Sequence, residues 1–96
     1  MVKTLSMIAI FVISGGIMAA EIEKTYQKSC SICHVPGVAN APKTGDKEAW
    51  AQRLSKGMDV LVASVINGKG AMPPKGMCYS CSEDDYEALI NHMVAQ

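Results

Sequence analysis

The stretch Cys30-Ser31-Ile32-Cys33-His34 decides what this chain folds around. Two thiols in a Cys-x-x-Cys spacing, followed at once by an imidazole, form a haem-attachment signature. If both thiols are bonded to the vinyl-derived arms of one porphyrin, His34 is held close to the iron and can ligate it. The same residue types also occur in zinc knuckles and thioredoxin-like redox pairs. The motif alone therefore favours covalently attached haem over these two alternatives.

The first 20 residues have the pattern of a secretory signal peptide. Lys3 precedes an almost wholly apolar run from Leu5 to Ile13, and Ala19-Ala20 come just before the charged Glu21. We predict cleavage after Ala20, export to the periplasm and a domain of residues 21–96. The alternative is a retained membrane anchor, since the uncharged stretch is close to the shortest length that spans a bilayer as a helix.

The four cysteines occur as two pairs. Haem attachment uses Cys30 and Cys33, so Cys78 and Cys81 need another explanation. A local disulfide is the simplest one, because thiols pair in an oxidising compartment. A single zinc site made by all four cysteines is the alternative, and it leaves His34 without a role.

The domain that follows the signal has few large apolar side chains with which to build a core. It has no phenylalanine, because Phe11 lies in the signal, and its aromatic residues are Trp50 and three tyrosines. A side-chain core of this size gives marginal stability, so we infer that a large flat apolar ligand fills much of the interior. Basic and acidic side chains nearly balance, which gives no strong field for nucleic acid or an anionic membrane.

Hydrophobic periodicity predicts helices throughout, hence an all-α fold of about four helices. The first runs from Glu21 into the haem motif; the second follows Asp46 as N-cap and ends at Gly57. A capping box of Ser82 and Asp85 starts the last helix. The apolar faces are Ile22, Tyr26 and Cys30 in the first helix, Trp50 and Leu54 in the second, Met58, Leu61, Val62, Val65 and Ile66 in the third, and Tyr86, Leu89, Ile90, Met93 and Val94 in the last.

The second iron ligand is expected in the loop between the last two helices. This segment, 68–77, is rich in glycine and proline, and a thioether commonly ligates haem iron opposite histidine. Met72 is the first candidate, because two prolines hold it in an extended loop, and Met77 is its rival. Met58 and Met93 are predicted to pack in the core. His92 lies off the apolar stripe of the last helix and is predicted to be solvated.

These motifs together resemble the cytochrome c5 group of class I c-type cytochromes. The resemblance covers nearly the whole domain and implies a small helical fold wrapped around one covalent haem c, with Met72 as distal ligand and a Cys78–Cys81 disulfide. The segments that carry it are Cys30-Ser31-Ile32-Cys33-His34, Ala41-Pro42-Lys43-Thr44-Gly45-Asp46, Gly70-Ala71-Met72-Pro73-Pro74-Lys75-Gly76 and the second cysteine pair.

Residues around the iron ligands are also expected to contribute. A loop carbonyl should accept the second ring N–H of His34; the resemblance points to Pro42, and Pro36 is the alternative. Trp50 and Arg53 lie one helical turn apart and could both donate to a haem propionate. In the alternative, Trp50 packs in the core and Arg53 is a solvated charge.

The function expected from this ligand set is one-electron transfer, without catalysis. Two axial ligands leave the iron no free position, and thioether ligation favours the ferrous state. The partners would be redox proteins: a dehydrogenase or cytochrome complex as donor and a terminal oxidase or reductase as acceptor. Lys69 and Lys75 flank the Met72 loop and can guide such a partner. A gas sensor or peroxidase-like enzyme with a labile sixth ligand is the alternative, and a zinc-stapled binding module is the third.

Overall fold

The helices of this protein begin at the capping residues that the sequence indicates. In the computed structural model, which describes residues 19–96, Asp46 Oδ1 accepts a hydrogen bond of 3.2 Å from the backbone N–H of Ala49. Ser82 and Asp85 form a reciprocal capping box, with bonds of 2.8 and 3.2 Å. These contacts satisfy N–H groups that have no partner inside the helix. The predicted signal peptide lies outside the described residues except for Ala19 and Ala20.

The described chain is helical, and the prediction of an all-α fold with four helices is confirmed. The first helical stretch consists of α1, a π-helical turn and α2; the other three helices are α3, α4 and α5. Residues 19–96 include no β-strand, and one isolated bridge pairs Lys69 with Met72. The bounds are α1 Ala19–Thr25, π turn Tyr26–Cys30, α2 Ser31–His34, α3 Lys47–Leu54, α4 Met58–Asn67 and α5 Glu83–Ala95, with 3-10 turns at Val38–Asn40 and Pro74–Met77.

Two features of the helices differ from prediction. The helix before Gly57 is already complete at Leu54, and Gly57, with φ +104°, is the N-cap of α4 instead. The first helix is not uniformly α-helical, because the π turn Tyr26–Cys30 interrupts it and ends at the first cysteine of the motif. A π turn holds more residues per turn than an α turn, so it rotates the residues that follow, and such turns are frequent at functional sites.

The core lies where α5 packs against α1 and α4. Tyr86, Leu89, Ile90 and Met93 are all buried on α5, as their spacing predicts. Ile22 and Tyr26 are buried opposite them in the first helical stretch, and Trp50 and Val62 are buried in α3 and α4. These side chains remove apolar surface from water, which is the main favourable term in folding.

His92 is not solvated, and that prediction was wrong. Its side chain is 20% exposed, and its Nε2 atom lies 2.5 Å from Glu23 Oε2. Its ring meets the ring of Tyr26 edge-on at a centroid distance of 4.9 Å. The packing of α1 against α5 covers this position, although the helix projection places it away from the apolar stripe. In the part of the chain described, no helix combines the length and hydropathy needed to cross a bilayer.

Candidate functional site

A cavity of about 410 Å³ opens between α3, α4, α5 and the two loops that carry the prolines. This volume lies within the range of small-molecule and cofactor pockets, roughly 300 to 1,000 Å³. Its walls are mostly apolar, which suits a porphyrin better than a charged substrate. The main apolar side chains that line it are Trp50, Val60, Leu61, Val65, Leu89, Ile90 and Met93. Leu61 and Val65 are only half-buried in the protein because they face this space.

His34 is the buried polar residue of the cavity wall, with 7% of its surface exposed. Its Nδ1 atom lies 2.7 Å from the carbonyl oxygen of Pro42, not of Pro36. Because a carbonyl oxygen only accepts, Nδ1 carries the proton and Nε2 keeps a free lone pair. The backbone N–H of Thr44 also donates to the His34 carbonyl over 2.7 Å. The segment 42–44 therefore holds both the ring and the backbone of His34, and it leaves Nε2 able to bind a metal.

Cys30 and Cys33 also line the cavity, and neither is in a disulfide. Burial raises the pKa of the Cys30 thiol to about 11, because the thiolate would lose its hydration. Catalytic cysteines have lowered pKa values, so this site does not resemble a thioredoxin-like pair. Within residues 19–96, no three His, Cys, Asp or Glu side chains come together as metal ligands, which argues against the four-cysteine zinc site.

Met72 reaches the cavity from a tightly closed loop. Its backbone N–H and carbonyl both bond to Lys69, over 2.9 and 3.1 Å. Its side chain extends to Gly76, where an added Cβ would lie 3.2 Å from Met72 Cε. Met77 lines the same cavity but is 53% exposed, whereas Met72 is half-buried. The structure thus brings both candidate thioethers to the cavity, and Met72 is the more enclosed.

Trp50 and Arg53 line the cavity, and a side-chain N–H of each donates to a backbone carbonyl. The indole N–H of Trp50 donates to the carbonyl of Lys43 over 2.9 Å, so this donor already has a partner. The Trp50 ring stacks on His34, with centroids 5.7 Å apart and planes 27° apart. Arg53 Nη1 donates to the Ala49 carbonyl over 2.9 Å. Sequence reasoning missed Lys43, because a backbone acceptor leaves no mark on residue type.

Cys78 and Cys81 are joined in a disulfide in the structure. Cys78 is buried and lines the cavity, and its carbonyl accepts a 2.7 Å hydrogen bond from the Tyr86 hydroxyl of α5. Burial, with a smaller contribution from Asp85, raises the pKa of Tyr86, so this hydroxyl stays a donor. The disulfide therefore lies between the Met72 loop and the start of α5.

The charged side chains around the cavity all have one sign. Arg53, Lys56, Lys69 and Lys75 line it, and no Asp or Glu does so among the described residues. The net charge of the chain is zero, so acidic residues elsewhere offset this cluster. Composition hides such a segregation of charge, and only the fold reveals it.

Comparison with known proteins gives matches over most of the chain. The family model described as "Cytochrome C oxidase, cbb3-type, subunit III" matches residues 18–93. Cytochrome c5 of Azotobacter vinelandii is 47% identical over 68 residues, which cover 69% of this chain and 82% of the relative. Cytochrome c5 of Ectopseudomonas mendocina is 42% identical over 82 residues, or 83% of this chain and 94% of the relative.

Two solved structures are similar in fold as well as sequence. One is a chain of the crystal structure of the electron transfer complex of nitrite reductase with cytochrome c; it has a TM-score of 0.72 and 46% identity, and the match covers 83% of this chain and 96% of that one. The other is a mono-heme ferrocytochrome c from Shewanella putrefaciens, with a TM-score of 0.69, 50% identity and coverage of 75% and 89%.

Proposed function

Because this chain belongs to the cytochrome c5-like, class I c-type cytochromes and carries one covalently bound haem c, we propose that it is a periplasmic one-electron carrier whose iron is ligated by His34 and Met72. Its relatives are electron-carrying cytochromes, so electron transfer is its general activity. The haem supplies the reversible one-electron chemistry. The protein residues attach it, orient its ligands, exclude water and select its partners.

The observation that carries the proposal is the arrangement around His34. Its protonated Nδ1 is bound to Pro42, so Nε2 is free to ligate iron, and Cys30 and Cys33 lie on the same cavity wall for thioether attachment. Met72 enters the cavity from a separate loop and supplies a thioether sulfur. Histidine and methionine together leave no open coordination position.

A sensor or peroxidase-like enzyme would need an open position and polar groups near it. His92, the second histidine, is paired with Glu23 and does not line the cavity. Nothing observed in the described residues favours this alternative over the carrier.

Export and processing belong to the same proposal. Cleavage after Ala20 would leave residues 21–96 as a monohaem domain in the periplasm, where thiols pair and haem is attached. The Cys78–Cys81 disulfide supports an oxidising location. Membrane association would occur only if residues 1–20 were retained as an anchor.

The proposed partners are redox proteins that bind at the mouth of the cavity. Lys69 and Lys75 are exposed side chains among the residues that line it. An acidic patch on a dehydrogenase or cytochrome complex, as donor, or on a terminal oxidase or reductase, as acceptor, would complement this surface. A similar solved chain comes from a complex of cytochrome c with nitrite reductase, which supports a redox protein as partner.

Absorption spectroscopy of protein made in a host competent for haem attachment tests the function. We expect haem to stay with the chain after denaturation, because thioether bonds survive unfolding, and the native ferrous form to ignore carbon monoxide. Rapid binding of carbon monoxide by the native protein would instead show an open sixth position and overturn the electron-carrier assignment.

Charge reversal at the cavity rim should slow electron transfer to anionic oxidants. The double variant Lys69→Glu, Lys75→Glu should react about tenfold more slowly with ferricyanide at low ionic strength, because local potential steers charged reactants. Lys24→Glu, Lys28→Glu is the matched control, since both lysines are exposed and do not line the cavity. Stopped-flow kinetics measure both rates; equal slowing in the two variants would show that net charge alone acts.

A further inference from the structure

The Lys43 carbonyl connects Trp50 to the loop that holds His34. The Trp50 indole N–H donates to this oxygen over 2.9 Å. Lys43 stands between Pro42, whose carbonyl lies 2.7 Å from His34 Nδ1, and Thr44, whose N–H donates to the His34 carbonyl over 2.7 Å. One side chain therefore holds the middle of a three-residue segment that contacts His34 on both sides.

The Trp50 ring makes a second, independent contact with the same histidine. The indole and imidazole rings stack at 5.7 Å with planes 27° apart. Trp50 is only 4% exposed, so its ring has little freedom to move. The N-cap bond of Asp46 fixes the start of α3, and Asp46 N–H also donates to the Lys43 carbonyl over 3.0 Å.

We propose that Trp50 is a positioning residue that sets the orientation of the His34 imidazole and the strength of its Nδ1–H bond to Pro42. The inference rests on the proposed role of His34 as an iron ligand. Trp50 acts on His34 in two ways: its ring stacks on the imidazole, and its N–H holds the Lys43 carbonyl. In this role the N–H is not a donor to a haem propionate.

This role predicts the sign of a change in reduction potential. A hydrogen bond from Nδ1–H to a carbonyl raises the basicity of Nε2, and a more basic ligand favours the ferric state. Loss of the Trp50 N–H loosens Pro42 and should favour the ferrous state. General loosening of the core has the opposite sign, because water admitted to the cavity stabilises the more highly charged ferric iron.

The test compares three holoprotein variants. Trp50→Phe keeps a ring but removes the N–H, and incorporation of the benzothiophene analogue of tryptophan replaces the N–H by sulfur with almost no change of shape. Leu54→Ala is the control, since Leu54 is half-buried on the same helix and does not line the cavity. Spectroelectrochemistry gives the ferrous-to-ferric ratio at fixed ambient potential, and NMR follows the His34 ring protons.

In both Trp50 replacements we expect the ferrous-to-ferric ratio to rise by up to about tenfold, which corresponds to 59 mV for a one-electron couple. The Nδ1 proton of His34 should also exchange faster with solvent, whereas Leu54→Ala should leave it unchanged. An unchanged or lower ratio with an unchanged Nδ1 proton would overturn the positioning role. If His34 ring signals show no paramagnetic shift in the unmodified ferric protein, the ligand assignment itself fails.

Discussion

Met72→Ala should retain its covalent haem, bind carbon monoxide in the ferrous state and have a reduction potential lower by a few hundred millivolts, a substantial part of the ~0.8 V that axial ligands control. The loss of the thioether removes the ligand that favours ferrous iron. The side chain is half-buried against Gly76, in a loop closed by two backbone bonds to Lys69. Spectroelectrochemistry and carbon monoxide titration measure both effects.

Met77→Ala is the matched control, because Met77 also lines the cavity but is 53% exposed. Its reduction potential should differ from that of the unmodified protein by only a small fraction of the shift in Met72→Ala. It should not bind carbon monoxide. The reverse pattern would assign the iron to Met77 and would contradict the proposed ligand set.

Helix positions could be predicted because local sequence determines them. Asp46 and the Ser82–Asp85 box cap helices in the structure as their spacing predicts, and the apolar stripe of α5 is buried. These features depend on contacts between residues a few positions apart, which a single sequence displays.

Features that depend on tertiary contacts could not be predicted. His92 is covered by α1, and its contact with Glu23 joins residues on different helices. The Trp50 N–H has a backbone carbonyl as partner, and a backbone acceptor cannot be recognised from the type of residue that carries it. The π turn that ends at Cys30 carries the same apolar spacing as an α-helix, so hydrophobic periodicity does not distinguish the two.

The cationic rim is the clearest case of a property that only the fold reveals. Arg53 and Lys56 come from the end of α3 and the residues after it, and Lys69 and Lys75 from the loop after α4. In the sequence, acidic residues elsewhere cancel them, so net charge gives no indication of a steering surface. The fold places them around one opening.

At Gly68 the backbone passes close to the backbone of Met72 and Pro74, and this close approach helps to hold the Met72 loop in place. This residue has φ +81° and ψ 158°, a region that is essentially restricted to glycine. An added Cβ would lie 2.9 Å from the Met72 carbonyl oxygen and 3.0 Å from Pro74 N. Both neighbours are backbone atoms, which cannot rotate away as a flexible side chain can.

Gly68→Ala should therefore destabilise the protein by about 2 to 3 kcal/mol. This is the upper part of the cost expected for one residue with a strained backbone, because a close contact is added to the strain. Because the bridge between Lys69 and Met72 lies directly after Gly68, the strain should also weaken the proposed bond between the Met72 sulfur and the iron, and allow partial carbon monoxide binding. Gly70→Ala is the control: Gly70 has φ +56°, and no protein atom lies within 4 Å of its added Cβ, so this variant makes no close contact with the protein itself. Denaturant unfolding and carbon monoxide titration are measured for both variants, and the larger loss is expected in Gly68→Ala. Equal losses of stability would mean that the close approach at Gly68 contributes nothing to the stability of the Met72 loop.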